Sequence, residues 1–177
     1  MISENYLKDS ISQFRKHKKL VEKALSQVSD RDFFRELGPE SNSIAIIVKH
    51  MAGNMRSRWK DLLISDGEKP DRHRDTEFEI EPDDSRKTIM DRWERGWKFL
   101  FGSIEPLKAE DLEKTITIRS EPYTVLEAIN RQLTHYAYHA GQIAYMARHF
   151  AGNKWETLSV PKGKSEEFNK QMRERLK

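Results

Sequence analysis

The sequence predicts an all-α protein: a four-helix bundle with a short extended segment before the fourth helix and a C-terminal strap and short helix. Three observations carry this. Four long stretches repeat apolar residues in steps of three and four, charged residues fill their other faces, and breaks rich in Gly, Pro and Asp separate them. No internal repeat or low-complexity tract divides residues 1–177, and that length suits a single helical domain with one core.

In the first helix, 3–28, Leu7, Ile11, Phe14, Val21, Leu25 and Val28 form the apolar stripe, with Lys18 as its one break and Ser3 as the expected N-cap. Residues 29–41 hold Gly38-Pro39 and Phe33-Phe34, and read as a connection with one short helical turn. Ser41, Asn42 and Ser43 offer caps for a second helix over about 43–64, with Ile44, Ile47, Val48, Met51, Met55 and Trp59 buried. Gly53 costs helix propensity there, and close approach of another element would explain it.

From Ser65 to Pro82 the periodicity gives way to charge and two prolines, which predicts a long surface loop. Asp83 or Asp84 is the expected cap of a third helix over about 85–103, striped by Ile89, Trp93, Trp97 and Leu100. That aromatic stripe reads as core packing, not as a cation or cofactor box. Lys114 to Arg119 alternates like a strand and predicts a brief extended segment or hairpin. Thr124 caps a fourth helix that runs through Val125, Ile129, Leu133, Tyr136, Ala140, Ile143 and Ala147 to about Phe150. The strap from Trp155 to Lys164 is expected to dock on the bundle, and an exposed terminal helix follows from Ser165.

Composition narrows the chemistry. Basic residues number 32 against 29 acidic, a formal charge of +3, and they are dispersed, which argues against a nucleic-acid partner. The densest cluster, Arg15 to Lys19, reads as a solvated helix face. The absence of cysteine excludes disulfides, thiolate ligands and a cysteine nucleophile, so any thiol chemistry needs a thiol from a cosubstrate. The first residues carry charge without an apolar run, and no later run reaches membrane-spanning length. The expectation is a cytoplasmic protein with no membrane partner.

The candidate site is His135-Tyr136-Ala137-Tyr138-His139-Ala140-Gly141-Gln142. Imidazoles at i and i+4 stack on one helical face about 5–6 Å apart at Cβ and can converge on one ion. Gln142, three positions on, could orient a ligand or a bound water. A histidine pair rarely holds a metal unaided, and the candidate third ligand is His50 on the second helix, with Asn54 one turn further along. A catalytic ion needs three such neutral rings and one open position. Taken singly, histidines are more often ordinary half-buried polar residues than ligands. His17, His73 and His149 lie on the basic face, in the charged loop and at a helix end, and are set aside. No H-E-x-x-H, G-x-G-x-x-G, P-loop or G-x-S-x-G pattern is present.

Ile47-Val48-Lys49-His50-Met51-Ala52-Gly53-Asn54 on the second helix, joined to Leu133-Thr134-His135 through His139-Ala140-Gly141-Gln142-Ile143 on the fourth, resembles the DinB-like superfamily. The strap from Trp155 to Gly163 followed by Phe168 is similar to a bacterial subgroup of uncharacterised function. The resemblance implies an up-down-down-up four-helix bundle, often a homodimer, with zinc or nickel held by His50, His135 and His139. It also implies thiol chemistry, since relatives include transferases and an isomerase that use low-molecular-weight thiols such as bacillithiol or mycothiol. The expectation is a metal-dependent transferase joining such a thiol to a small electrophile, or a metal-assisted hydrolase. The alternative is a non-catalytic, metal-stabilised structural or stress-response dimer.

Overall fold

A computed structural model describes residues 2–175, which are mostly helical with one small two-stranded sheet. Helix α1 (Ile2–Leu25) buries Leu7, Phe14, Val21, Ala24 and Leu25 along one stripe. Ser3 lies inside this helix and is not its cap, and Val28 is buried from the turn that follows. The expected helical turn in the next connection is α2 (Asp30–Phe33), capped by Ser29.

Helix α3 (Ile44–Trp59) is capped by the Ser43 hydroxyl, which accepts from the Ile46 amide. It ends five residues earlier than its apolar pattern suggests. Lys60 is extended and Asp61 adopts φ 53°, a left-handed conformation that breaks the ladder, while Ile64 is left exposed. Almost every residue of α3 is buried, Lys49, His50 and Asn54 included, so its polar groups need partners from other elements.

Helix α4 (Arg86–Ile104) starts from a Ser85/Thr88 capping box. Ser85 replaces the expected Asp83 or Asp84 because Asp84 is spent elsewhere: its carboxylate accepts from Lys49 at 2.7 Å and pairs with Arg92 at 2.9 Å. Strands β1 (Thr115–Ile118) and β2 (Glu121–Thr124) form the hairpin, with Arg119 and Ser120 both at positive φ in its two-residue turn. Helix α5 (Val125–Ala151) follows from a Thr124/Glu127 capping box. Trp155 and Leu158 of the strap pack against the core, and α6 (Ser165–Glu174) buries no side chain.

Two helix pairs pack most extensively, α3 with α4 and α1 with α5. Gly96 faces Ala52 and Met55, and Ser103 bonds the Trp59 carbonyl, so α3 and α4 run the same way. Tyr6 bonds Asn130 and Gln27 bonds Glu156, which gives α1 and α5 a common direction too. His50 meets His139, while Trp59 and Leu62 share a cavity with Gln132 and Ala128, so α3 runs antiparallel to α5. Arg15 pairs with Glu105 and Lys18 with Glu94, which sets α1 antiparallel to α4. Phe14, Trp59, Trp97 and Tyr136 meet where all four helices converge, with Phe14 and Trp59 edge to face at 5.6 Å.

Candidate metal centre

The site lies where α3 faces α5. On α5, positions 135 and 139 share a face with 131, 138 and 142, while Tyr136, Ala140 and Ile143 turn into the core. On α3, His50 is buried at 5 % exposure and reaches the same point from the other side. The Nε2 atoms of His50 and His135 lie 3.4 Å apart, and those of His135 and His139 lie 3.0 Å apart. One ligand atom from each ring falls within 4.8 Å of the others. Sequence spacing places two rings on one face, and the fold brings in the third.

The outer nitrogens of two rings are fixed. His50 Nδ1 donates to Glu77 Oε2 at 2.9 Å. His139 Nδ1 donates to Gln142 Oε1 at 2.8 Å, and Gln142 Nε2 in turn donates to the Tyr138 hydroxyl at 3.1 Å. An imidazole in its neutral form carries one proton, and with Nδ1 donating, the Nε2 of each such ring is the lone pair turned toward His135. His135 can donate at most one proton there, and its own Nδ1 is buried without a partner among the described residues. The cluster is therefore short of positive charge at its centre, which is the arrangement that suits a cation.

The electrostatics agree. Burial lowers His135 to about 3, helped by the neighbouring His139 and His50 and by Arg58 and Arg72. Burial lowers His139 to about 4, against the opposing hydrogen bond to Gln142. Both rings are neutral at physiological pH, the form that ligates metal. Although burial works to raise the Glu77 carboxyl, the Arg72 and His50 hydrogen bonds hold it below the ordinary glutamate range.

Glu77 and Arg72 come from the segment read from sequence as a surface loop, and they are not surface residues. Glu77 sits on the 3-10 turn Asp75–Phe78 at 7 % exposure. Arg72 grips it with two bonds of 2.8 Å, and Glu68 supports Arg72 at 3.2 Å. Phe78 covers the His50 ring at 4.8 Å. Gly53 explains the fit, since a Cβ at that position would stand 2.2 Å from Glu77 Oε1. The expected need for a close approach at Gly53 is thus met by a carboxylate from the loop. Nothing in the charge pattern of residues 65–82 sets Glu77 apart from its solvated neighbours.

Asn54 is placed one step behind the rings. Its Oδ1 accepts from the Tyr136 hydroxyl at 3.1 Å, and that hydroxyl accepts from Trp59 Nε1 at 3.0 Å. Asn54 also lines a cleft of about 410 Å³ beside His135, together with Arg131, Gln132, Thr134 and Tyr138. No carboxylate lines that cleft. The histidines at 17, 73 and 149 do not join the cluster.

No curated protein and no solved structure matches the chain. No helix among the described residues is long and apolar enough to cross a membrane. Residues 1–164 match the model of the family described as "Protein of unknown function (DUF1572)", and the chain belongs to that family.

Proposed function

We propose that the protein is a DinB-like bundle that binds a divalent metal ion, zinc or nickel, through His50, His135 and His139 and uses it to transfer a low-molecular-weight thiol to a small electrophile. The observation that carries the reading is the convergence of three imidazoles, two of them locked with Nε2 facing inward. The shared directions of α1 with α5 and of α3 with α4 support the up-down-down-up arrangement of that superfamily.

A bound divalent ion supplies Lewis acidity and lowers the pKa of a thiol or water at its open position. The chain's own residues prepare that position. Glu77, fixed by Arg72, orients His50, and Gln142 orients His139. The Tyr136–Asn54 bond fixes the floor beside His135, and the adjacent cleft gives a small molecule access. With no carboxylate in the cleft and Glu77 committed to Arg72, no free general base stands there, which favours an incoming nucleophile with a low intrinsic pKa. A thiol meets that requirement better than water, so the transferase is preferred to the hydrolase. A homodimer belongs to the same reading, with Tyr138 and Tyr145 exposed on α5 as its anchors.

The same lack of a base is the observation that favours the second reading, a bundle whose metal only stabilises the fold. The two separate in one experiment. Tag-free protein is assayed for bound metal beside His135→Ala, and the loaded protein is then offered thiols with an electrophilic reporter. Metal in the parent and not in the variant, with thiol consumed at a rate that depends on the metal, is the expected result. Equal metal in both removes the centre, and metal without turnover leaves the stabilising role.

A further inference from the structure

A second cavity system lies on the other side of α3, along the seam with α4. One cleft of about 500 Å³ is bounded by Arg56 of α3, Arg95 and Phe99 of α4 and His73 of the loop, with the carboxylates of Asp71, Glu77 and Glu81 also in its lining. A second, of about 510 Å³, continues from Arg95 and Phe99 to Lys60, Lys98 and Gly102, with Asp61 as the one carboxylate in its lining. The two share Arg95 and Phe99 and so adjoin as one groove with cations on both rims. From Arg92 to Ser103 it follows α4 for roughly 16 Å at about 1.5 Å per residue. Each half has the size of a small-molecule site.

The cations of this protein divide into paired and unpaired ones, and the groove holds some of each. Arg15, Lys18, Arg86, Lys87 and Lys114 each meet a carboxylate. Lys60, Arg95 and Lys98 make no ion pair among the described residues. Arg56 holds only the exposed Asp71. Over both halves seven Lys and Arg side chains stand against four carboxylates, and the second half holds Lys60, Arg95 and Lys98 against Asp61 alone, which leaves a net positive potential that an anion would relieve. Arg56 and Lys60 are one turn apart on one rim, as are Arg95 and Lys98 on the other. Phe99 lies on the floor shared by both halves and offers an apolar face between the charged pairs.

We infer that this groove binds a phosphorylated small molecule of the nucleoside diphosphate type. Its phosphates lie between the Arg56/Arg95 and Lys60/Lys98 pairs, and its flat apolar part rests on Phe99. Guanidinium groups match phosphate oxygens in pairs, and two cationic pairs one turn apart suit two linked phosphates better than a single carboxylate. Aromatic contact with a base adds affinity that inorganic diphosphate lacks. The site is separate from the histidine cluster, with Glu77 forming part of the wall between them.

Calorimetric titrations of the full chain with ADP, inorganic pyrophosphate and a ten-nucleotide single strand, at constant ionic strength, test the inference. Saturable binding of both phosphates is expected, ADP more tightly. The double variant Arg95→Ala/Lys98→Ala removes two exposed side chains without partners, and should weaken both at least tenfold while its melting temperature stays unchanged. His135→Ala controls for phosphate held at the metal centre and should keep the binding. Absence of saturable binding, indifference to the double variant, or loss in His135→Ala would each overturn the proposal. So would preferential, steeply salt-dependent binding of the oligonucleotide, which would make the seam a nucleic-acid surface.

Discussion

Glu77 and Gln142 determine what the histidines can do, although neither reaches the centre of the cluster. Each accepts a hydrogen bond from Nδ1–H and so turns Nε2, the metal-binding nitrogen, toward the shared point. Replacing Glu77 by Gln leaves a group that can still accept from His50 but loses the charge that Arg72 grips. Metal affinity should fall by about 10–100-fold, the usual cost of losing such support. Competition with a chromophoric chelator measures it, and affinity equal to the parent would make Glu77 a partner of Arg72 only. The lowered values of His135 and His139 have a second consequence, for stability. In metal-free protein the unfolded rings take up protons near pH 6.5 while the folded rings resist until about 3 and 4. The unfolded state therefore binds more protons between about 4 and 6.5, and stability rises with pH across that window. Each ring contributes up to about 1.4 kcal/mol per pH unit. Denaturant melts from pH 4.5 to 7 should show this slope, and His135→Phe should flatten it. An unchanged slope in that variant would mean the ring is hydrated and protonates freely.

At the scale of elements, the connection between α3 and α4 does as much for the site as the helices do. Ser57 donates to the Gly67 carbonyl and accepts from the Lys69 amide, and Asp66 accepts from the amides of Arg119 and Ser120 at the hairpin tip. These bonds fold the charged stretch back onto α3 and deliver Arg72 and Glu77 to His50. The four long helices, the caps Ser43 and Thr124 and the i, i+4 pair were legible in the sequence because they are local, whereas the early end of α3 and the cap of α4 were set by contacts that the local pattern does not carry. The role of this connection was not, because a buried Arg–Glu–His chain and a solvated charged loop have the same composition. His50 stood in between: its neighbours along the helix give it no metal-ligand spacing, so it entered as the candidate third ligand without a spacing rule, and the resemblance strengthened its link to the pair. Gly53→Ala tests the connection directly. Alanine is the better helix former by about 1 kcal/mol. The added Cβ meets a Glu77 carboxylate that cannot swing away without leaving Arg72 and His50. A net loss of about 1–3 kcal/mol is expected from this overpacking, seen in urea melts, together with weaker metal binding. A gain in stability would show that Glu77 can be displaced cheaply.

Across the whole molecule, the packing concentrates in two helix pairs, α3 with α4 and α1 with α5. The histidine cluster bridges them, with one ring from the first pair and two from the second. The Trp59–Tyr136–Asn54 bonds cross the same boundary and hold it in the absence of any ion. An ion at the cluster would add a third tie where the two pairs are otherwise less extensively packed. Its stabilisation follows from mass action and reaches about 4 kcal/mol when free metal stands a thousandfold above its dissociation constant. Zinc added to metal-free protein should therefore raise the melting temperature in a concentration-dependent way, and should slow amide exchange together in residues 44–59 and 130–143. His135→Ala should show neither effect. Protection confined to α5 would mean that the ion is held by His135 and His139 alone. In that case His50 would be a buried partner of Glu77, and the two helix pairs would rely on their aromatic core and the Tyr136 hydroxyl for their alignment.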